Sequence, residues 1–251
     1  MKNGVLSMKK KNNKIRVIIL SVLCALQFFL VLAFYKTLDN DIEIRYALLY
    51  NVDVIEAKVE NEVQKLKDYY NNNDVVAKVK IDDTNINKPV LKYTDNSYYL
   101  THDSYGNYDG WGSIYMDYRT SLGDRKILIF GHSSPSVDVP FNELENYYDK
   151  SFYQKHKYIE LIGEEEKYQY EIFSVYVETS DFTYMNLKID DETYNSDLNK
   201  YKKNSLYETG VSVGDNDHIL ILQTCSNNSK YRKYKKKYLL IIAKETNREV
   251  L

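Results

Sequence analysis

The chain contains 251 residues and carries a formal net charge of −2 at pH 7. That length suits one domain plus a membrane segment. The nearly balanced charge excludes an overall basic field of the kind that attracts nucleic acid. The two cysteines, Cys24 and Cys225, lie far apart, and the histidines are scattered without zinc-ligand spacing. We therefore expect no intrachain disulfide, no metal and no cofactor.

The N-terminal segment has the charge pattern of a membrane anchor. Residues 1–16 carry several basic residues and no acidic residue, and residues 17–35 are almost wholly apolar. A run of this length fits a bilayer crossing of ~20 residues. No small-residue cleavage site follows it, which favours an uncleaved anchor over a cleaved signal peptide. The basic flank predicts a single-pass protein of the cell membrane with residues 1–16 in the cytoplasm and the remainder outside the cell.

Residues 36–73 are predicted to form a helical linker. Apolar residues recur at spacings of three and four from Ile44 to Leu66, which is the pattern of an amphipathic helix. The asparagines at 71–73 are expected to end this helix. The apolar stripe suits either a stalk or, as we favour, packing against the following domain.

Residues 74–251 are predicted to form one domain of many short strands and few helices. Pro89 marks its strand as an edge of the sheet. Such a pattern favours a closed or nearly closed barrel. Strands are expected at 75–81, 86–91, 112–117, 126–130, 158–162, 168–177, 219–224 and 238–244, with helices at 141–148 and 191–203.

Two of these strands end at residues that can do chemistry. The apolar run 126–130 opens into Gly131 and His132, and the run 219–224 ends at Cys225. A lone cysteine or histidine at such a position is more often structural. Together they suggest a nucleophilic thiol beside an imidazole, because a thiol reacts as thiolate and a neighbouring imidazolium lowers its pKa.

These features, in this order, resemble the sortases, specifically class B. The resemblance spans roughly residues 42–246 and implies a mostly β fold. The expected fold is an eight-stranded β-barrel with an N-terminal helix and a few peripheral helices, preceded by one transmembrane helix. The matching motifs are Phe130-Gly131-His132, Leu222-Gln223-Thr224-Cys225, Thr84-Asn85-Ile86-Asn87-Lys88-Pro89-Val90-Leu91 and Gly112-Ser113-Ile114-Tyr115-Met116-Asp117-Tyr118-Arg119.

The resemblance also implies an activity. Such enzymes are cysteine transpeptidases on the outer face of Gram-positive bacteria. They cleave a sorting signal near the C-terminus of a surface protein after Thr and hold the acyl chain as a thioester. They then pass it to an amine of a cell-wall precursor. By this resemblance, Cys225 is the nucleophile and His132 the acid and base, and imidazole suits both steps near neutral pH.

The third catalytic residue of the family is an arginine at the start of the last strand. Here that register holds Tyr238, with Lys237 just before it, and Arg232 is the only arginine in the connecting loop. We favour Arg232 for this role, with Lys237 or Tyr238 as substitutes and a defective site as the remaining option. The resemblance further suggests Thr224, Asn87 and Leu91 as substrate-binding residues.

Other functions stay open at this point. A pilus-polymerising sortase would use a pilin lysine as the acceptor amine. A catalytically weak barrel would bind sorting signals or wall material. A papain-like protease is disfavoured because such enzymes place the cysteine early on a helix and before the histidine. The Ser-x-Gly-Cys signature of L,D-transpeptidases is absent.

Overall fold

The computed structural model describes residues 61–188 and 190–251, together with residues 26–27, 29–34 and 36. The chain divides into two compact units, Met1–Val59 and Glu60–Leu251. The described residues of the first unit are helical. Among all described residues, no helix combines the length and hydropathy needed to cross a membrane. The predicted anchor at 17–35 and the predicted helix before residue 61 lie largely outside the described residues.

Within its described residues, the second unit contains eight strands, three α-helices and three short 3-10 helices. The strands are β1 (Val75–Lys80), β2 (Asn87–Leu91), β3 (Tyr115–Met116), β4 (Lys126–Phe130), β5 (Tyr158–Ile162), β6 (Glu166–Glu178), β7 (Ile219–Cys225) and β8 (Tyr238–Val250). The α-helices are α1 (Glu62–Tyr70), α2 (Lys150–Lys155) and α3 (Asp191–Asn204). The 3-10 helices are Asn142–Tyr148, Thr183–Met185 and Ser229–Tyr231.

The strands close into a barrel in the order β1-β2-β3-β4-β7-β8-β6-β5. The predicted eight-stranded barrel is therefore confirmed. The prediction that Pro89 marks a sheet edge is wrong, because β2 pairs with β1 on one side and with β3 on the other. Pro89 lies opposite Lys78 in the β1–β2 ladder. The β2–β3 pairing is limited to Leu91 opposite Tyr115, so the proline has no partner on the β3 side that would need its missing N–H.

The strands β4 and β7 are apolar on both faces because both faces are covered. One face fills the barrel interior, with Ile127 and Ile129 beside Leu220 and Leu222. The other face packs beneath α3 and the segments next to it. That outer core includes Leu128, Phe130, Ile219, Ile221, Tyr194, Leu198 and Tyr201. The alternation along β7 places Gln223 and Cys225 on the outer face.

Helix α1 begins and ends at asparagines. The side chain of Asn61 accepts hydrogen bonds from the backbone N–H groups of Val63 and Gln64, satisfying donors that a helix start leaves unpaired. Asn71 adopts a left-handed conformation at the other end, with φ 48° and ψ 45°. The predicted stop at residues 71–73 is thus confirmed, and Val63 of the predicted apolar stripe is fully buried.

Candidate active site

The register of two parallel strands brings the predicted thiol and imidazole side by side. β4 and β7 pair in parallel, with Phe130 opposite Gln223. His132 and Cys225 each follow two residues after that pair. Because the two strands run in the same direction, both residues lie at the same end of the barrel. The strands are adjacent, and neighbouring strands lie about 4.8 Å apart.

His132 and Cys225 line one pocket on the outer face of the barrel. The cavity has a volume of about 270 Å³. Its walls come from the ends of β4 and β7, the start of β8 and the 3-10 helix at 183–185. Besides the two predicted catalytic residues, the lining includes Leu100, Tyr115, Tyr184, Met185, Gln223 and Tyr238.

Contacts to two loop residues orient the imidazole. Nε2 of His132 lies 3.0 Å from the carbonyl oxygen of Leu100. A carbonyl only accepts hydrogen bonds, so Nε2 carries the proton in this contact. The Trp111 ring meets the imidazole edge-on, with 6.2 Å between ring centroids. No hydrogen bond joins His132 to Cys225 among the described residues, and such bonds in enzymes often form only once substrate is bound.

The thiol is exposed at the pocket but lies in an environment that disfavours its charge. Cys225 is an exposed, free cysteine. Protein atoms around the thiol partly shield it from water, and this desolvation raises its pKa. The positive charge of Lys237 lowers this pKa, and the negative charge of Glu145 raises it. The neutral thiol is therefore favoured at rest, and reaction requires a base to accept its proton.

The three predicted substrate-binding residues lie outside the lining of this pocket. Thr224 is fully buried, and its hydroxyl donates to the carbonyl oxygen of Gly131 at 2.8 Å. It therefore ties the end of β7 to the end of β4. Leu91 is also fully buried, in the outer core, while Asn87 is exposed at the start of β2.

Of the residues considered for the arginine role, Lys237 and Tyr238 lie near the thiol. Tyr238 is the register partner of Cys225 and lines the pocket. Lys237 acts on the thiol through its charge, and its carbonyl oxygen accepts a hydrogen bond from the Ser226 N–H at 3.0 Å. The Arg232 side chain is exposed and makes no hydrogen bond, ion pair or ring contact with described residues.

Sequence reasoning missed several pocket residues. The Tyr184 hydroxyl, on a fully buried side chain, donates to Oε1 of Gln223 at 2.6 Å. Gln223 stands two positions before Cys225, so strand alternation alone would have placed it on the same face. Tyr184 and Met185 carry no comparable sequence signal, because they reach the pocket from a loop more than thirty positions away along the chain.

A larger cavity, of about 770 Å³, lies near the N-terminal end of β4. It contains no cysteine or histidine, and three of its cations are paired with carboxylates. No group of three or more His, Cys, Asp or Glu residues in the described part of the chain is placed to hold a metal ion. The pairs in the larger cavity are Arg119–Asp117, Arg125–Asp191 and Lys126–Asp197.

Comparison with known proteins identifies the family of the chain. The model of the sortase domain matches residues 79–246. This chain belongs to the sortase family. Sortase B of Listeria monocytogenes is 34% identical over 190 residues, which cover 74% of this chain and 77% of that protein. Sortase B of Staphylococcus aureus is 34% identical over 159 residues, covering 62% and 65% of the two chains.

Solved structures place this sortase in class B. A Staphylococcus aureus sortase B–substrate complex matches with a TM-score of 0.67 and 30% identity, covering 80% of this chain and 94% of that one. Clostridium perfringens sortase B matches with a TM-score of 0.65 and 29% identity, covering 73% and 99%. The predicted class B resemblance is confirmed. The protein is a cysteine transpeptidase that anchors surface proteins.

Proposed function

We propose that this sortase cleaves a C-terminal sorting signal after Thr through a thioester on Cys225 and transfers the protein to an amine of a cell-wall precursor. The observation that carries the proposal is the position of the thiol and the imidazole of His132. Both line one pocket at the ends of paired parallel strands. The ends of two neighbouring barrel strands hold both groups, and the pocket leaves them open to substrate.

In the first half-reaction, His132 accepts the thiol proton and the sulfur attacks the carbonyl carbon of the Thr residue. The peptide bond breaks, and the departing amine takes a proton from His132. A thioester joins the surface protein to Cys225. In the second half-reaction, the incoming amine attacks the thioester carbon and gives its proton to His132. The carbon–sulfur bond breaks, and the sulfur recovers a proton.

The oxyanion that forms during attack on the carbonyl needs a positive group beside the thiol. We propose Lys237, with Tyr238 beside it, in preference to the predicted Arg232. The charge of Lys237 already acts on the thiol, while the Arg232 side chain makes no polar or ring contact with described residues. A lysine supplies charge to an oxyanion but lacks the two-pronged donor set of arginine.

The relatives support the proposed partners. One matching sortase B was solved as a substrate complex, and another was solved in complex with triglycine. For this chain we propose surface proteins with a sorting signal as acyl donors and a peptidoglycan-precursor amine as acceptor. Neither pilus polymerisation nor a binding-only barrel gains support from these matches.

We propose that the enzyme is held at the outer face of the membrane. The apolar run at 17–35 and its basic flank support a single anchor with a cytoplasmic N-terminus. External protease added to intact cells is expected to remove the catalytic domain. Full protection of the domain in intact cells, with digestion after lysis, would contradict this orientation.

Mass spectrometry of the full chain in detergent, mixed with a panel of Thr-containing sorting peptides, tests the reaction. We expect an acyl adduct on Cys225 that an added amine releases as a transpeptidation product. The adduct should vanish in Cys225→Ala, and its formation should slow sharply in His132→Ala. A folded protein with a free thiol and no adduct with any peptide would refute the proposed function.

A further inference from the structure

A row of polar side chains on one 3-10 helix contacts both loops that carry the catalytic residues. The helix Asn142–Tyr148 presents Asn142, Glu145 and Tyr148 at intervals of three residues. Side chains three apart are eclipsed in a 3-10 helix, so these three form a single line. We refer to them below as the polar row.

The start of the row holds the loop that follows His132. Oδ1 of Asn142 accepts the backbone N–H of Ser134 at 2.7 Å, and its Nδ2 donates to the carbonyl oxygen of Val137 at 2.6 Å. The residue before the helix, Phe141, donates its N–H to the carbonyl oxygen of His132 at 3.2 Å. The imidazole-bearing loop is thereby fastened to the helix by backbone contacts.

The remainder of the row holds the loop that follows Cys225. Oε1 of Glu145 accepts the backbone N–H of Asn227 at 3.0 Å. The hydroxyls of Tyr148 and Ser226 lie 2.6 Å apart, and Ser226 is buried. The Asn227 side chain also donates to the hydroxyl of Ser133, which links the two loops directly.

Glu145 is the middle residue of the polar row, and both its acceptor oxygen and its charge matter. Burial raises the pKa of its carboxyl overall, although hydrogen bonds from the Asn227 N–H and the Ser133 hydroxyl act to lower it. Its charge also acts on the thiol of Cys225, against the opposing charge of Lys237. The thiol also faces the phenols of Tyr115, Tyr184 and Tyr238, and the imidazole of His132 lines the same pocket.

We infer that Glu145 is a positioning residue for transpeptidation. It joins the loop after Cys225 to the helix that also holds the loop after His132, and so keeps the thiol and the imidazole in the relative position that the reaction needs. The inference rests on the proposed function, because it concerns the same reaction. The acceptor oxygen of Glu145 positions the loop. The charge of Glu145 acts separately on the pKa of the thiol, so substitutions can remove the charge while keeping the acceptor oxygen.

The test compares Glu145→Ala with Glu145→Gln in the full chain. Glutamine keeps an acceptor oxygen for the Asn227 N–H but removes the charge, whereas alanine removes both. We expect Glu145→Ala to lower kcat for transpeptidation by roughly 10- to 100-fold at little-changed KM, since misplacing a catalytic group by about 1 Å costs up to 10²-fold. Glu145→Gln should restore kcat to within a few-fold of the wild type.

The pH dependence of thiol alkylation by iodoacetamide separates positioning from charge. Both variants are expected to lower the pKa of Cys225, because both remove the carboxylate. Only the alanine variant should lose turnover. Glu143→Gln is the matched control: it lies on the same helix and accepts the N–H of Asn85, and it should change neither readout.

Equal turnover in Glu145→Ala and the wild type would overturn the inference, as would a Glu145→Gln variant as slow as Glu145→Ala. If Glu145→Ala fails to fold, Glu145→Met replaces it, since methionine keeps the length of the side chain but offers no carboxylate oxygen to the Asn227 N–H, and the same loss of kcat is expected. Unchanged kcat in Glu145→Met would then overturn the inference. A wild-type enzyme that forms no adduct marks the failure of the proposed function instead.

Discussion

Gly131 separates the end of β4 from His132, and the structure explains why a side chain is excluded there. A Cβ at this position would lie 2.6 Å from Cδ2 and 2.9 Å from Cγ of Phe141. Phe141 is fully buried. Carbon atoms pack at about 3.5–4.0 Å, so the ring would have to move by roughly 1 Å within a filled core.

We therefore expect Gly131→Ala to destabilise the protein by overpacking. Such changes cost about 1–3 kcal/mol, a sizeable part of the 5–15 kcal/mol by which a typical domain is stable. At roughly 2–4 °C per kcal/mol for a domain of this size, a loss of about 2 kcal/mol lowers the melting temperature by roughly 4–8 °C. Transpeptidation should also slow, because the next residue is His132 and its position shifts with the backbone.

Differential scanning calorimetry and the peptide-transfer assay measure both effects. Phe141→Leu in the Gly131→Ala background should recover part of the stability, since a smaller side chain relieves the contact, and the double-mutant cycle gives the coupling energy. Gly214→Ala is the control, because a Cβ there meets no atom within 4 Å. A Gly131→Ala variant with wild-type melting and turnover would refute the steric argument.

Three further changes test a buried ion pair, a hydrogen bond in the pocket and the charge beside the thiol. Asp117→Asn should cost about 1.5–3 kcal/mol at pH 7, because the fully buried carboxylate accepts hydrogen bonds from Arg119. Burial raises the pKa of Asp117, but the hydrogen bonds outweigh burial and lower this pKa overall. The wild type therefore loses this stabilisation as the pH falls, and denaturant unfolding should show the stability difference between wild type and variant shrinking below about pH 4. Tyr184→Phe should lose about 1 kcal/mol with its hydrogen bond to Gln223, and an unchanged denaturation midpoint would contradict this. Lys237→Met should raise the pKa of Cys225 in alkylation profiles, whereas the same change at Arg232 should not.

The strands that carry the site were readable from local pattern alone. The apolar runs of β4 and β7 are bounded by polar and glycine-containing segments, and the structure gives them nearly the predicted limits. Both are buried on both faces, which leaves an unbroken apolar signal. The helix α2 and the 3-10 helix at 183–185 were missed because they are too short to show periodicity.

The third catalytic position could not be read from the sequence. Residues 226–237 hold many basic side chains, and local pattern does not say which of them turns back toward the pocket. The antiparallel pairing of Cys225 with Tyr238 brings residues 237 and 238 close to the thiol, and this position is the reason why we propose Lys237 for the role. Arg232 lies at the C-terminal end of the 3-10 helix Ser229–Tyr231, in the loop between β7 and β8, and is exposed.

The order of motifs by itself determined the family and the barrel and indicated the two proposed catalytic side chains, because apolar strand runs and abrupt strand ends are local properties of the chain. Only the tertiary structure decided what surrounds the thiol. Tyr184, Glu145 and Leu100 reach His132, Cys225 or their loops from distant segments. Their positions depend on how the barrel closes and how its loops pack, which are interactions between residues far apart in sequence.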